Sequence, residues 1–514
     1  MRTTELVRRE WAAFRTRRRI LALTTAVLVT VLLGLLLAIG LGRGSVCSDG
    51  PVEVPCPTDP IGPRDQPVSD LFFFAHRPLG ENGSITVRLT SMTGIITYPP
   101  PDHDEIVPGL VPWAKAGIII KDGLTQGSPY AALMVTGAHG VRMQHNYTHD
   151  TAGRPGGVSP QTPRWLRLTR AGDTITGDES ADGTQWTKVG TARLAGLPET
   201  VQVGLFATSP GDLTLKRVAL GGSITESRFT QATATFDHIG LDGAPAGPWG
   251  HDSVGEMGHT DWEKYHRAPG VVESNGTLTV TGTGDIGPVG AEGGHTTESH
   301  LVGLSLGMII IIVLAVRFLT TEYRPGATDA PPLTGRTLAA KAIVAGAAAF
   351  LAGLIAAAIA IPAGTGILRA NTITVIPVPA LTELRVITGA AALLAVVAIL
   401  ALAVAALVRR ARVAIPVTIA AVVLPYLVAA LPLLPDGVAE WLLRLTPAAG
   451  FAVRQTLHEY PQVLAHYAPS AGYFPLPWWA GFAILCAYTA AALGLAVVRL
   501  RRQTAETPPQ PAWR

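Results

Sequence analysis

Six long apolar runs that contain no charged residue give the chain its main pattern. They are residues 20–41, 301–316, 342–362, 386–408, 413–434 and 478–498. A charged side chain at the centre of a bilayer costs about 2.5–3.5 kcal/mol on insertion scales, and a soluble core helix of such length is normally amphipathic. We therefore interpret the runs as transmembrane helices 1 to 6. The first exceeds the h-region of a signal peptide and is predicted to be an uncleaved anchor.

The long polar segment between the first two runs has the pattern of a β domain. Ile85, Val87 and Leu89 alternate with polar neighbours, which is the period of a half-buried strand. AGIIIKDG and YAALMVTG are typical of fully buried strands, and glycine turns separate further short strands. The pattern favours an antiparallel, jelly-roll-like sandwich over residues 67–222, followed by a second β-rich segment over 223–300.

The predicted fold class is thus an α-helical polytopic membrane protein with an all-β sandwich inserted between helices 1 and 2. Residues 42–66, rich in proline and glycine, are predicted to link helix 1 to the sandwich. Cys47 and Cys56 lie within this linker, and a close pair on the outer face of a membrane favours a disulfide. A two-cysteine metal clip is the alternative, but neither a histidine nor a second cysteine pair lies nearby.

The distribution of Lys and Arg predicts the orientation in the membrane. Eighteen lie in segments 1–19, 317–341, 409–412 and 499–514, against four in segments 363–385 and 435–477. Positive residues concentrate in cytoplasmic loops, so both termini, including the tail 499–514, are predicted to be cytoplasmic. Residues 42–300 are then extracellular, and the chain is a multi-pass protein of the cytoplasmic membrane.

Charge also limits the classes of function. The net charge of +3 does not suggest a nucleic-acid partner. The six apolar runs contain no ionisable group of the kind that ion-coupled carriers place at mid-membrane, so energy is expected to come from elsewhere. The chain has no phosphate-binding G-x-x-x-x-G-K-[ST] motif, so any ATP is expected to bind to another chain.

Several polar and aromatic residues of the outer domain are candidates for chemistry. They are the acidic stretch Asp102, His103, Asp104 and Glu105, the histidines His139, His145 and His149, and the tryptophans Trp113, Trp165 and Trp186. A solvated loop explains the first set better than a calcium site, because calcium loops space their ligands along a tight turn. The histidines lack zinc-like spacing, and packing explains the tryptophans better than sugar stacking. We predict no catalytic, metal or cofactor site.

The membrane part resembles a permease subunit of the ABC-2, or exporter-type, class of ABC transporters, especially the actinobacterial kind. The matching stretches are RREWAAFRTRRR before the first run, TTEYRPG after the second, GRTLAAKAIVAG entering the third, and LTPAAGFAVRQT with YFPLPWWAGF before the sixth. Residues 67–220 resemble a concanavalin A-like (laminin-G-like) sandwich, through stretches such as FFFAHRPLGENGSITVRL and PRWLRLTRAGDTITGDESADGTQWTKVG.

The first resemblance implies a dimer with a second permease copy or homologue, export, and two cytoplasmic ATPases that bind ATP and magnesium. In that class the amino-terminal elbow helix, here residues 1–19, and the first cytoplasmic loop contact the ATPase. The corresponding residues are Glu10, Trp11, Phe14 and Arg15 in the elbow, and Glu322, Tyr323, Arg324 and Gly326 in the loop. The loop departs from the class pattern, because the proline-containing ATDAPPLTG follows it where a helical run is usual.

Three alternatives remain open from the sequence, one for the loop after the second run and two for the whole chain. Interfacial anchoring of Tyr323 and Arg324 in the lipid headgroup layer is an alternative to ATPase coupling. The whole chain could also be a membrane-anchored glycan-binding or sensor protein, although one span would suffice for tethering. A membrane-bound glycan hydrolase is a third alternative. The sandwich is expected to meet a substrate or an envelope partner such as a glycan.

Overall fold

A helical bundle and a β domain that rests on one end of it make up the protein in the computed structural model. The structure describes residues 3–41, 46–49, 52–55, 59–97, 105–255, 268–290, 294–321, 333–371, 373 and 375–506. The α-helices in these ranges are α1 (Thr3–Phe14), α2 (Arg17–Leu41), α3 (Leu304–Thr320), α4 (Gly335–Ala370), α5 (Ala380–Val408), α6 (Ala411–Ala430), α7 (Asp436–Leu445) and α8 (Trp478–Glu506).

The helices follow the six apolar runs closely. Five of them, α2, α4, α5, α6 and α8, are long and apolar enough to cross a membrane. The run at 301–316 forms α3, an apolar helix of 17 residues, which is at the lower limit for a bilayer crossing. Membrane helices and a β domain are therefore confirmed, while a sixth span stays a prediction.

Helices α2 to α6 and α8 alternate in direction, so the bundle has two ends. The end at which α1 lies is called the elbow end. There, Arg499 of α8 donates a hydrogen bond to the carbonyl oxygen of Leu407 at the end of α5. The β-domain end is where the end of α2 packs against that of α4, with Ala38 and Leu368 in one buried cluster. These two names are used below.

Small residues set the spacing inside the bundle. A Cβ atom added to Gly34 of α2 would lie 2.1 Å from the carbonyl oxygen of His300, just before α3. A Cβ on Gly353 of α4 would lie 2.8 Å from the Cα of Ala391 in α5. Transmembrane helices gain little from the hydrophobic effect against each other, so close contact of this kind contributes much of their association.

The β domain is a sandwich of two antiparallel sheets. Its strands, together with those of the linker, are β1 (Val46–Asp49), β2 (Val52–Pro55), β3 (Val68–Asp70), β4 (Phe72–Leu79), β5 (Asn82–Thr97), β6 (Ile106–Pro108), β7 (Lys115–Lys121), β8 (Tyr130–Thr136), β9 (Val141–His145), β10 (His149–Ala152), β11 (Arg164–Ala171), β12 (Thr174–Ser180), β13 (Thr187–Arg193), β14 (Val201–Thr208), β15 (Asp212–Arg217), β16 (Ser223–Asp242), β17 (Gly250–Val254), β18 (Gly270–Ser274), β19 (Thr277–Gly282) and β20 (Ile286–Pro288).

One sheet has the strand order β10-β9-β8-β7-β14-β4-β17. The other has the order β13-β12-β11-β5-β16-β19-β18, with β15 on β16 and β6 on β5. The core between them is apolar and includes Ile85, Val87 and Leu89 of β5, all buried as their alternation predicts. Every residue of β7 and β8 is buried, which explains their continuous apolar runs.

Strands β16 to β19, which follow residue 222, extend the two sheets of the same sandwich. Strand β16 pairs along β5, β19 pairs with β16, and β17 extends the other sheet beside β4. The entry strand β3 pairs with the exit strand β20. Two ion pairs fasten these strands to the sheet: Lys121 Nζ lies 2.8 Å from Asp70, and Lys115 Nζ lies 2.6 Å from Asp285.

The β domain contacts the bundle directly. Asp436, at the start of α7, accepts hydrogen bonds from Ser223 Oγ at 3.1 Å and from His466 Nε2 at 3.0 Å. The backbone of His295 forms a parallel bridge with that of Val375, between α4 and α5. Sandwich, loops and helices therefore meet in one continuous junction.

Candidate functional site

The elbow helix α1 is attached to the bundle by a buried ion pair. Glu10 Oε2 accepts a hydrogen bond of 2.6 Å from Nζ of Lys341 in α4, and the two side chains are 10% and 1% exposed. The Lys341 ammonium also lies 4.3 Å from the centre of the Phe318 ring in α3. One carboxylate on α1 is thereby joined to two helices of the bundle.

An aromatic cluster completes this attachment. Phe14 is buried, and its ring meets Phe318 edge-on at 5.1 Å between centroids. The guanidinium of Arg19, at the start of α2, lies 4.8 Å from the centre of the same Phe318 ring. The turn between α1 and α2 is thus packed against the end of α3.

The four elbow residues of the predicted ATPase contact divide into two pairs. Glu10 and Phe14 face the bundle and are buried. Trp11, in α1, is 37% exposed, and Arg15, in the turn that follows α1, is also exposed. Only the second pair is accessible to another chain, whereas the first joins the elbow to α3 and α4.

Several predicted residues lie outside the part of the chain that the structure describes. Glu322, Tyr323, Arg324 and Gly326 are among them, so the coupling loop stays a prediction. Cys56 is another. The backbone of Cys47 pairs with Val54 in the β1–β2 hairpin, and the disulfide between the two cysteines stays a prediction.

At the opposite end of the bundle lies a cavity of about 640 Å³ between the β domain and the helices. We call it the interdomain cavity. Its walls come from the linker before β3, from β10, from the connection between α4 and α5, from the first turns of α5, from the loop after residue 454 and from the start of α8. The polar and charged side chains among them include Arg64, His149, Arg385, His458 and Tyr460.

Arg385 is the charged residue that a membrane helix contributes to the described lining of the cavity. Its Nη2 donates a 2.7 Å hydrogen bond to the carbonyl oxygen of Gln455, and its Cζ lies 5.3 Å from the centre of the Trp478 ring. Its Nη1 is buried and has no hydrogen-bond partner among the described residues. A buried guanidinium nitrogen without an acceptor is costly, and the positive charge of Arg385 in the cavity wall favours an anionic ligand there.

Arg64 brings a second guanidinium to the cavity from the side of the β domain. Its Nη2 lies 2.8 Å from Nε2 of His149, which must accept this hydrogen bond because Arg has no acceptor. Burial, together with the charge of Arg64, lowers the pKa of His149, in agreement with a neutral ring. His149 stacks on His145 at 4.1 Å, and burial lowers the pKa of His145 to about 4.

The cavity is positive on balance. Its described lining contains two arginines and no aspartate or glutamate. Glu298 lines the neighbouring cavity, and its charge interacts with that of Arg385. Its carboxylate accepts hydrogen bonds from the backbone nitrogen and the hydroxyl group of Thr456. Burial raises the pKa of its carboxyl group.

Two of the tryptophans of the β domain that the sequence singles out take part in packing. Trp113 is buried against His139, and Trp186 covers Arg167 at 4.1 Å. No group of three metal-ligating side chains occurs among the described residues. Glu105 is exposed, while the rest of the acidic stretch lies outside the described ranges.

Sequence reasoning did not identify the interdomain cavity, although it had one relevant signal. Arg385 is one of four cationic residues in the two short segments that precede helices at the β-domain end. A cation retained beside a membrane helix on the side poor in positive residues is unusual. Its proximity to Arg64, more than 300 positions earlier in the chain, depends on the docking of the β domain.

No family model matches the chain, and no curated protein matches it. Among solved structures, the chain is similar to a functionally unknown protein from Saccharomyces cerevisiae, at 17% identity over 34% of this chain and 74% of that one, with a TM-score of 0.21. Scytalido-glutamic peptidase matches at 10% identity over 43% and 100%, with a TM-score of 0.28. The GH43 protein BlXynB from Bacillus licheniformis matches at 16% over 25% and 24%, with a TM-score of 0.17. Similarity at this level establishes no shared activity.

Proposed function

We propose that the chain is the permease subunit of an ABC transporter that exports a substrate across the cytoplasmic membrane. A separate cytoplasmic ATPase binds ATP and magnesium and supplies the energy, and a second copy or a homologue completes the permease. This chain then carries no catalytic residue of its own. The observation that supports the proposal best is the elbow helix, which has one face locked to the bundle and the other accessible.

The elbow geometry suits the transmission of force. A partner that contacts Trp11 and Arg15 acts on a helix whose opposite face is joined to α4 through Glu10 and to α3 through Phe14. Since breaking a buried ion pair costs about 3–5 kcal/mol, α1 moves with these helices instead of sliding over them. In this proposal Glu10 and Phe14 act as anchors, and the ATPase contacts Trp11, Arg15 and the loop 322–326.

The β domain supports export less directly. It rests on the end of the bundle opposite the elbow, which is the extracellular end if the elbow is cytoplasmic. There it is positioned to receive or gate a substrate, or to meet an envelope partner such as a glycan.

A pull-down of the tagged full-length chain from its host in mild detergent tests the proposal. We expect a nucleotide-binding ATPase to co-purify, and the double variant Trp11→Ala, Arg15→Ala to reduce its yield several-fold. The matched control is Arg369→Ala, Trp479→Ala, which removes the same residue types from exposed positions at the β-domain end. If no ATPase is recovered with the unmodified chain, the proposal is wrong.

A further inference from the structure

The interdomain cavity combines a positive lining with a place beside membrane helices. We propose that it binds the phosphate group of an anionic amphiphile, through Arg385 and Arg64, and that the apolar part of the ligand packs beside Ile376 and Trp478. This binding site goes beyond the proposed transport function, because it would hold its ligand whether or not an ATPase drives the chain.

The charge of the cavity selects an anion. Two arginines line it, Arg64 from the linker before β3 and Arg385 from α5. No carboxylate lines it in the described ranges. Phosphate offers several acceptor oxygens, so it can accept hydrogen bonds from both arginines at once, and guanidinium is the side chain best suited to it.

Neutral hydrogen-bond acceptors beside the two arginines strengthen the preference of the cavity for an anion. His149 accepts a hydrogen bond from Nη2 of Arg64 and is therefore neutral, so it orients that guanidinium without adding a charge. Gln455 does the same for Arg385, through its carbonyl oxygen at 2.7 Å from Nη2. Both arginines are thus held in place by neutral acceptors, and Glu298, whose charge acts on Arg385, lines the neighbouring cavity and not this one.

The position and apolar lining of the cavity favour an amphiphile over a free ion. Trp478 begins α8 and Arg385 lies in the second turn of α5, both at the end of the bundle where membrane helices meet the headgroup layer. Aliphatic and proline side chains from Ile376 to Pro379 line the same cavity. Its volume of about 640 Å³ also exceeds what a lone phosphate needs and lies within the usual range for small-ligand sites.

Calorimetric titration of the full-length chain in mild detergent tests the proposal. The probes are dihexanoyl phosphatidic acid, dihexanoyl phosphatidylcholine and inorganic phosphate. We expect phosphatidic acid to bind most tightly. Arg385→Gln is expected to weaken it about tenfold or more, because a hydrogen bond to a charged group is lost, and Arg385→Lys to weaken it less. The control Arg369→Gln removes a positive charge from an exposed position at the same end of the bundle.

Each outcome decides a part of the proposal. Equal binding of inorganic phosphate and phosphatidic acid would keep the phosphate site but overturn the amphiphile. Equal binding of phosphatidylcholine, or equal affinities of the Arg385→Gln and Arg369→Gln variants, would overturn the site as a whole. If Arg385→Gln fails to fold, Arg64→Gln in the linker must show the loss of affinity for the proposal to stand. None of these results depends on recovery of an ATPase.

Discussion

The ion pair between Glu10 and Lys341 allows a quantitative prediction about the elbow. Replacing Glu10 with Gln keeps the size of the side chain but removes the carboxylate, which accepts a hydrogen bond of 2.6 Å from Nζ of Lys341. The Lys341 side chain is only 1% exposed, so water cannot readily solvate its charge in place of Glu10. We expect α1 to detach from the bundle far more often in this variant.

The magnitude follows from burial. Removing one partner of a buried ion pair costs about 3–5 kcal/mol. We expect about 2–3 kcal/mol here, because Glu10 is partly accessible and Lys341 retains its contact with the Phe318 ring. At about 1.4 kcal/mol per factor of ten, the equilibrium for detachment of α1 should rise about 30- to 150-fold. A helix of 12 residues is marginal alone, so detachment should also unfold it.

Hydrogen exchange of the amides of α1, in the full-length chain in mild detergent, measures this equilibrium. Glu5→Gln is the matched control, since it removes the same charge from an exposed position of the same helix. The double variant Glu10→Gln, Lys341→Met removes both charges and should restore most of the protection, because a well-packed apolar replacement often offsets the loss of a buried pair.

Two results would refute this reasoning. One is exchange in Glu10→Gln that is no faster than in Glu5→Gln, which would mean that the pair does not hold the elbow. The other is a double variant that exchanges as fast as Glu10→Gln alone, which would mean that the loss does not come from removing the carboxylate beside the charge of Lys341.

Two further predictions concern other parts of the fold. Burial lowers the pKa of His145 to about 4, so its contribution to folding stability is present above its ordinary pKa of 6.5 and is lost as the pH falls from 6.5 toward 4. Hydrogen exchange of β8 and β9 should report a loss on the order of 1–2 kcal/mol after allowance for solvent screening. The loss should be smaller in His145→Gln, where His149, whose pKa is also lowered, is retained; an equal loss in this variant would contradict the assignment to His145. Gly34→Ala places a methyl group 2.1 Å from a backbone oxygen, which should cost about 1–3 kcal/mol and lower the midpoint of thermal unfolding in detergent. Gly40→Ala is the control, because a Cβ atom there meets open space and should leave the midpoint unchanged. Equal midpoints for the two variants would contradict the close contact at Gly34.

The membrane helices and the strands were largely predictable, because each depends on local periodicity. An uncharged run long enough to cross a bilayer can form little else than a helix, and α2, α4, α5, α6 and α8 follow their runs. The alternation of Ile85, Val87 and Leu89 placed one face of β5 in the core, and the continuous run of β7 predicted burial on both faces. Both signals are contained in neighbouring residues.

The extent of the sandwich was not predictable in the same way. The looser pattern after residue 222 suggested a second β-rich segment, but β16 pairs with β5 across more than 100 positions of sequence. Strand pairing of this range is decided by which strand edges remain free when the sheets form, and no local pattern records it.

The candidate sites also separate what the sequence determines from what only the tertiary structure decides. The sequence by itself determined that α1 is amphipathic and basic and that the six runs lack charges, both of which are properties of consecutive residues. Only the tertiary structure decided that Glu10 and Phe14 are buried against the bundle while Trp11 and Arg15 are exposed, and that Arg64 and Arg385 share one cavity. The physical reason is that burial and electrostatic coupling depend on distance in space, and packing brings together residues that the chain keeps far apart.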